Sequence, residues 1–206
     1  MAALRATGGI SGARRAWHRR AMAASPPTEA SLREAALTHL ARYATTRAGL
    51  IRVLDRRIDR WARAQEEPPE DTTVRAAKAA VREVVAKLAG LGAVNDAAFA
   101  ESRARSLTRA GRSRRAIAAH LAMRGVDAET AATAMPADTG SELAAALAWT
   151  KRRRIGPFRA APVDTAGRMK ELGTLARAGF DRDTAERALD MPHAEAEAMV
   201  IRLRRA

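Results

Sequence analysis

No cysteine occurs in the 206 residues. That excludes a disulfide framework, a thiol nucleophile and any cysteine-ligated metal. Aromatic residues make up only 3% of the chain. Ala, Leu, Val and Ile must therefore fill the core, and a base-stacking platform has little material to draw on. No apolar run reaches the roughly 18 residues of a membrane-spanning helix. The histidines His18, His39, His120 and His193 stand far apart, with no HExxH or paired spacing. This argues against a zinc enzyme. His39 and His120 fall beside apolar helix positions and read as packing residues. No Walker pattern, GxSxG elbow or EF-hand loop is present, so no catalytic residue, metal or cofactor is expected. Glu66, Glu67, Glu70 and Asp71 read as a solvated acidic turn rather than a cation site.

What the chain has in excess is positive charge. Lys and Arg number 37 against 23 acids, a formal net charge of +14 and a pI near 11.5. An acidic partner follows, nucleic acid first and an anionic membrane second. The excess is local. Seven arginines between Glu101 and Asp127 (Arg103, Arg105, Arg109, Arg112, Arg114, Arg115 and Arg124) have no acid among them. Lys151, Arg152, Arg153, Arg154 and Arg159 form a second acid-free block between Glu142 and Asp164. Guanidinium groups bind phosphate bidentately and displace its counterions. Arg103, Arg105, Arg109, Arg112, Arg114 and Arg115, with Lys151, Arg152, Arg153 and Arg154, are the candidate contacts. A merely solvated arginine-rich face is the competing reading. Trp149, beside the second block, reads as a helix-face packing residue.

From Ser31 onward every segment reads helical, with almost no strand signal. Ser31 and Glu34 read as a capping box, and Leu32, Ala36, Leu40 and Tyr43 mark one face. Thr45 or Thr46 opens a second helix with Ile51, Leu54, Ile58 and Trp61 inward. The Pro-Pro stretch near 65–73 is a loop. Val81, Val84, Val85, Leu88 and Leu91 face inward on a third helix, ended by Gly92. Asn95 or Asp96 caps a fourth through Phe99 and Leu107 to Gly111. Ser113 caps a fifth with Ile117 and Leu121 inward, ended by Gly125. Asp127 opens a short sixth stopping by Pro136, and Ser141 to about Arg153 is a seventh. Ile155–Phe158 interrupts. Further helices run from about Asp164 to Gly179, from about Asp183, and after Pro192.

A repeat accompanies this pattern. Leu121, Ala122, Gly125, Asp127, Thr130 and Ala131 coincide with Leu175, Ala176, Gly179, Asp181, Thr184 and Ala185 at an offset of 54 residues. Leu50–Arg57 reads as a third, divergent copy. Self-similarity of this kind points to tandem helical modules. Stacked end to end, they would form a long, thin, curved body. The first 28 residues carry five arginines and no acid. They read as a disordered arm, or as an over-long start with Met22 as initiator, ahead of a transit peptide.

Leu88, Gly92, Val94, Asn95, Asp96, Phe99 and Ala100 form one run, followed by Gly111, Ile117, Leu121, Arg124, Gly125 and Val126. With Ala36, Leu37, Leu40, Ala41 and Tyr43 before them and Arg177–Phe180 after, they resemble the RecX family of RecA modulators over about Ser31 to Arg205. Departures are Asn95 in place of the usual Asp, Gly49 where an acid is common, and a long loop after Trp61. The resemblance implies an all-α fold of three tandem three-helix repeats in an elongated, curved array. On this chain that gives an arm at 1–28 and repeats at 29–92, 93–137 and 138–206. Gly92, Asp96, Phe99, Gly111, Ile117, Leu121, Gly125, Gly179 and Phe180 are its structural positions. It further implies a cytoplasmic, non-enzymatic regulator. Such a protein lies in the groove of the RecA–DNA filament and restrains strand exchange, ATP hydrolysis and the coprotease activity behind the SOS response. It would bind single- or double-stranded DNA as that complex, with no cofactor and no membrane, and a monomer is expected. The rival is a helix-turn-helix transcriptional regulator with Ser113–Arg124 as recognition helix.

Overall fold

The computed structural model describes residues 25–135 and 139–205. The readings placed on residues 1–24, Met22 included, and on Pro136 lie outside the described residues. Among those described, every regular element is helical. The chain divides into two compact units that meet at Val94 and Asn95.

The first unit holds α1 (Glu29–Leu40), α2 (Arg47–Arg63) and α3 (Asp71–Gly90). Thr28, not Ser31, caps α1. Its hydroxyl accepts from the Ser31 N–H, and Ser31 donates its own hydroxyl to the Thr28 carbonyl. Pro26 and Pro27 end just before Thr28, so the helix starts at the first residue that can cap it. Leu32 and Ala36 are buried against Leu50, Leu54 and Ile58 of α2 and Val81, Val84, Val85 and Leu88 of α3. Two apolar positions differ from expectation. Tyr43 follows the end of α1 and is 60% exposed, and Leu91 sits at the α3 C-cap and is 73% exposed. The helical period no longer governs either residue. The acidic loop is shorter than expected, since α3 already begins at Asp71.

The second unit contains α4 (Asp96–Arg109), α5 (Arg114–Arg124) and the short α6 (Ala128–Thr133). It continues through α7 (Thr139–Arg153), a 3-10 turn at Gly156–Phe158, α8 (Thr165–Arg177), α9 (Arg182–Asp190) and α10 (His193–Arg205). Ala100, Ala104, Ile117, Leu121, Val126 and Ala131 form one core. A larger one surrounds α7, whose residues 143–150 are all buried. A helix enclosed on all sides must be apolar all round, which accounts for its unbroken Leu-Ala-Ala-Ala-Leu-Ala-Trp run.

One turn recurs at four places. A leucine is followed four residues later by a glycine with positive φ, at Gly92, Gly111, Gly125 and Gly179. The N–H after each glycine donates to that leucine's carbonyl: Ala93 to Leu88 at 2.9 Å, Arg112 to Leu107 at 3.0 Å, Val126 to Leu121 at 3.1 Å and Phe180 to Leu175 at 3.2 Å. This is the 6→1 bond of a Schellman helix end. The next helix is then capped by Asn95, Ser113, Asp127 or Asp181, each accepting from the N–H three residues on. The 54-residue likeness is thus reproduced bond by bond. Leu50–Arg57, by contrast, lies wholly inside α2 and has no such turn. In the first unit the turn geometry belongs to Leu88–Gly92. A fifth turn has the same form without glycine. Ile155 donates to the Thr150 carbonyl, and Arg154 holds the left-handed position with φ 55°.

Candidate nucleic-acid interface

Tight glycine turns place the arginines of the second unit. Gly111 turns the chain from α4 into α5 against the α7 backbone. A Cβ there would stand 3.0 Å from both the Ala145 oxygen and the Trp149 nitrogen. This close approach brings Arg112 onto the part of α7 that carries Lys151, Arg152 and Arg153. The Arg152 guanidinium is pushed below its ordinary value by partial burial, then by the charges of Arg112, Arg153 and Arg204. Arg112 acts on a second group as well. His120 is held below its usual range by burial first, then by Arg103, Arg124 and Arg112. Arg103 donates from Nε to His120 Nε2 at 3.1 Å, so this imidazole nitrogen is an acceptor and the ring neutral.

The outcome is a convergence of cations from α4, the α4–α5 turn, α5, α7 and α10. Among the described residues, Arg103, Arg112, Arg152, Arg153 and Arg204 have no carboxylate within ion-pair distance. Arg153 lies over the Trp149 ring, 5.1 Å from its centroid, so this buried indole does contribute to the arginine face. Like charges held together in this way are relieved by an anion, which is the electrostatic condition for phosphate binding.

Other expected contacts are placed differently. Lys151 is bonded to Glu197 at 2.5 Å, and Arg105 lies 3.8 Å from Glu101. Both charges are partly answered within the fold. Arg109, Arg114 and Arg115 are exposed. At Arg114 the backbone carries the best-defined contact, its N–H donating to both oxygens of Glu142 at 3.0 and 3.1 Å. Burial raises the Glu142 carboxyl, while the Arg114 N–H and charge oppose that rise. Sequence reading missed Arg204, which reaches the cluster from the last helix, and the part His120 plays there. A run of arginine on α10 was the only local sign of the first.

The start of α5 is closed off. Ser113 is fully buried, accepts from the Ala116 N–H and donates to the Ala178 carbonyl at 2.7 Å. A Cβ on Gly179 would stand 2.6 Å from its Oγ. A recognition helix reads bases with its N-terminal residues. Here the Ser113 hydroxyl is docked on α8 and the Arg114 N–H bonded to α7, while the Arg114 and Arg115 side chains that the helix-turn-helix rival would use stay exposed. Among the described residues no group of side chains is arranged to hold a metal, and no helix is long and apolar enough to cross a membrane.

Residues 95–135, which contain α4 to α6, match the family model for the RecX second three-helix domain. The regulatory protein RecX of Myxococcus xanthus (strain DK1622) is 41% identical over 162 residues, 77% of this chain and 84% of that protein. The chain belongs to the RecX family. The regulatory protein RecX of Agrobacterium fabrum is 35% identical over 108 residues, 52% of this chain and 58% of its own length. The crystal structure of RecX from Lactobacillus salivarius superposes with a TM-score of 0.60 over 82% of this chain and 97% of that one, at 20% identity. That likeness establishes the all-α RecX fold with its three-helix domains.

Proposed function

We propose that this RecX-family chain acts on a RecA-type recombinase by binding the RecA–DNA filament and lowering its ATPase, strand-exchange and coprotease activities. It would work as a cytoplasmic monomer in the filament groove, without catalysis of its own. Family membership supports RecA as partner. The observation that carries the contact surface is the convergence of Arg103, Arg112, Arg152, Arg153 and Arg204, none of them within ion-pair distance of a described carboxylate, on the face shared by α4, α5, α7 and α10. These residues would meet DNA phosphate or an acidic filament surface. Arg105, Arg109, Arg114, Arg115, Lys151 and Arg154 would serve as flanking contacts.

The test is RecA's ATPase on single-stranded DNA, with this protein titrated in well below one molecule per RecA. Inhibition at that ratio is expected. The triple reversal Arg112→Glu, Arg152→Glu, Arg153→Glu should raise the concentration required by at least about tenfold, since each lost charge-assisted bond is worth about 1.5–3 kcal/mol. No change in ATPase at any ratio would remove the proposal.

A further inference from the structure

The first unit carries a basic groove of its own. It lies between α1 and α2, has a volume of about 430 Å³, and is lined among others by Thr38, His39, Arg42, Tyr43, Arg57 and Arg60. All three arginines are exposed. Helix α2 has two acids, Asp55 and Asp59, and both are taken on the α3 side. Lys78 reaches Asp59 at 2.7 Å, and Arg82 approaches Asp55 at 4.0 Å. Among the described residues Arg42, Arg57 and Arg60 therefore have no carboxylate within ion-pair distance. Among the described residues Glu34 is the one acid lining the groove, so three guanidinium groups stand against a single carboxylate there.

Beside these cations stands the chain's one tyrosine, 60% exposed. Its ring is braced by His39, with centroids 5.1 Å apart and planes tilted by 38°. A braced and uncovered aromatic face next to unanswered guanidinium groups is the pairing that recognises a nucleotide, its base by stacking and its phosphate by charge. The volume suits such a unit, being in the range of small-ligand sites. The opposite balance of charge would be needed for an acid-seeking cation or a basic peptide.

We propose that the α1–α2 groove is a separate nucleotide site that takes one unit of single-stranded nucleic acid. The base stacks on Tyr43 and the adjoining phosphate is held by Arg42, Arg57 and Arg60. It is built from the other unit and does not depend on the arginine face of α4 to α10.

The experiment uses the whole chain without RecA. Oligothymidylate carrying 5-iododeoxyuridine is bound, irradiated and the adduct mapped; the tryptic peptide 43–47 should carry it at Tyr43. Tyr43→Ala should weaken binding of the base-bearing strand by about tenfold and leave an abasic strand unaffected. Joint replacement of Arg42, Arg57 and Arg60 by Ala should reduce the slope of log affinity against log salt by about 0.7, the loss of one neutralised phosphate on a single strand. Reversal of Arg112, Arg152 and Arg153 should leave the Tyr43 adduct in place, so failure of this site and failure of the RecA reading are separable. Absence of the adduct, or an equal effect of Tyr43→Ala on both strands, overturns the proposal. Displacement by thymidine monophosphate as effectively as by the strand would also overturn it, in favour of a mononucleotide site.

Discussion

At the scale of single residues, Arg154 is the exception that tests the rule of the turns. Four left-handed helix ends use glycine, and the fifth places an arginine at φ 55°. A side chain in that region costs on the order of 1–3 kcal/mol. Glycine would relieve it while adding some unfolded-state freedom. Arg154→Gly should therefore stabilise the protein by about 0.5–1 kcal/mol, read as a higher midpoint in urea. If the guanidinium contributes to the filament surface, the same variant inhibits RecA less well. His120 supplies a second test. Its folded value lies below the ordinary 6.5, through burial and then Arg103, Arg124 and Arg112. As pH falls the unfolded chain takes up this proton first. The contribution is complete above about 6.5 and is lost as pH falls from there through the lowered folded value. Urea midpoints should thus drop between about pH 7.5 and about pH 5.5, and His120→Gln should shrink that drop.

At the scale of elements, one turn does two jobs depending on its neighbours. At Gly92 a Cβ would meet nothing within 4 Å, whereas at Gly111 it would press on the α7 backbone at 3.0 Å. Both have positive φ. Gly92→Ala should cost only the left-handed penalty, on the order of 1–2 kcal/mol. Gly111→Ala should cost more, because backbone has to move, and thermal melts of the two variants order them. The helix ends were legible in the sequence for a physical reason. A glycine C-cap and an Asn, Ser or Asp N-cap satisfy backbone groups within a few residues, so spacing alone reveals them. The start of α1 was misread because two hydroxyl residues three apart, Thr28 and Ser31, can each cap, and only the preceding prolines decide between them. Tyr43 and Leu91 were misread because a periodic pattern continues on paper past the residue where the helix stops.

At the scale of the whole molecule, a net charge of +14 favours an acidic partner but does not say where it would sit. Linear arginine density made Arg112, Arg152 and Arg153 candidates, and the fold sets the charge of Arg112 beside the other two from 40 residues away. That density gave no sign that Lys151 is bonded to Glu197 from 46 residues away, and it had no means of adding Arg204. Partners of that separation are set by packing, not by spacing. A surface that works through phosphates also has a signature of its own. With four to six contacts, the affinity for DNA should fall by very roughly 10–1,000-fold between about 50 and about 200 mM salt. Filter binding across that range would check it, and a flat response would mean that the arginine face is only solvated.

The closed start of α5 bears on how the second unit breathes. First-turn amides lack a partner within their own helix and usually exchange with solvent quickly. In α5 the Arg114 N–H is held by Glu142 of α7, and the Ala116 N–H by a serine that is itself tied to Ala178 at the end of α8. Their deuterium uptake should therefore be slow, and it should quicken when Glu142→Ala or Ser113→Ala loosens the joint. The Ala98 N–H, held by exposed Asn95 alone, should show no such change. Two amides in one helix would then report whether α5 opens together with α7 and α8 or apart from them.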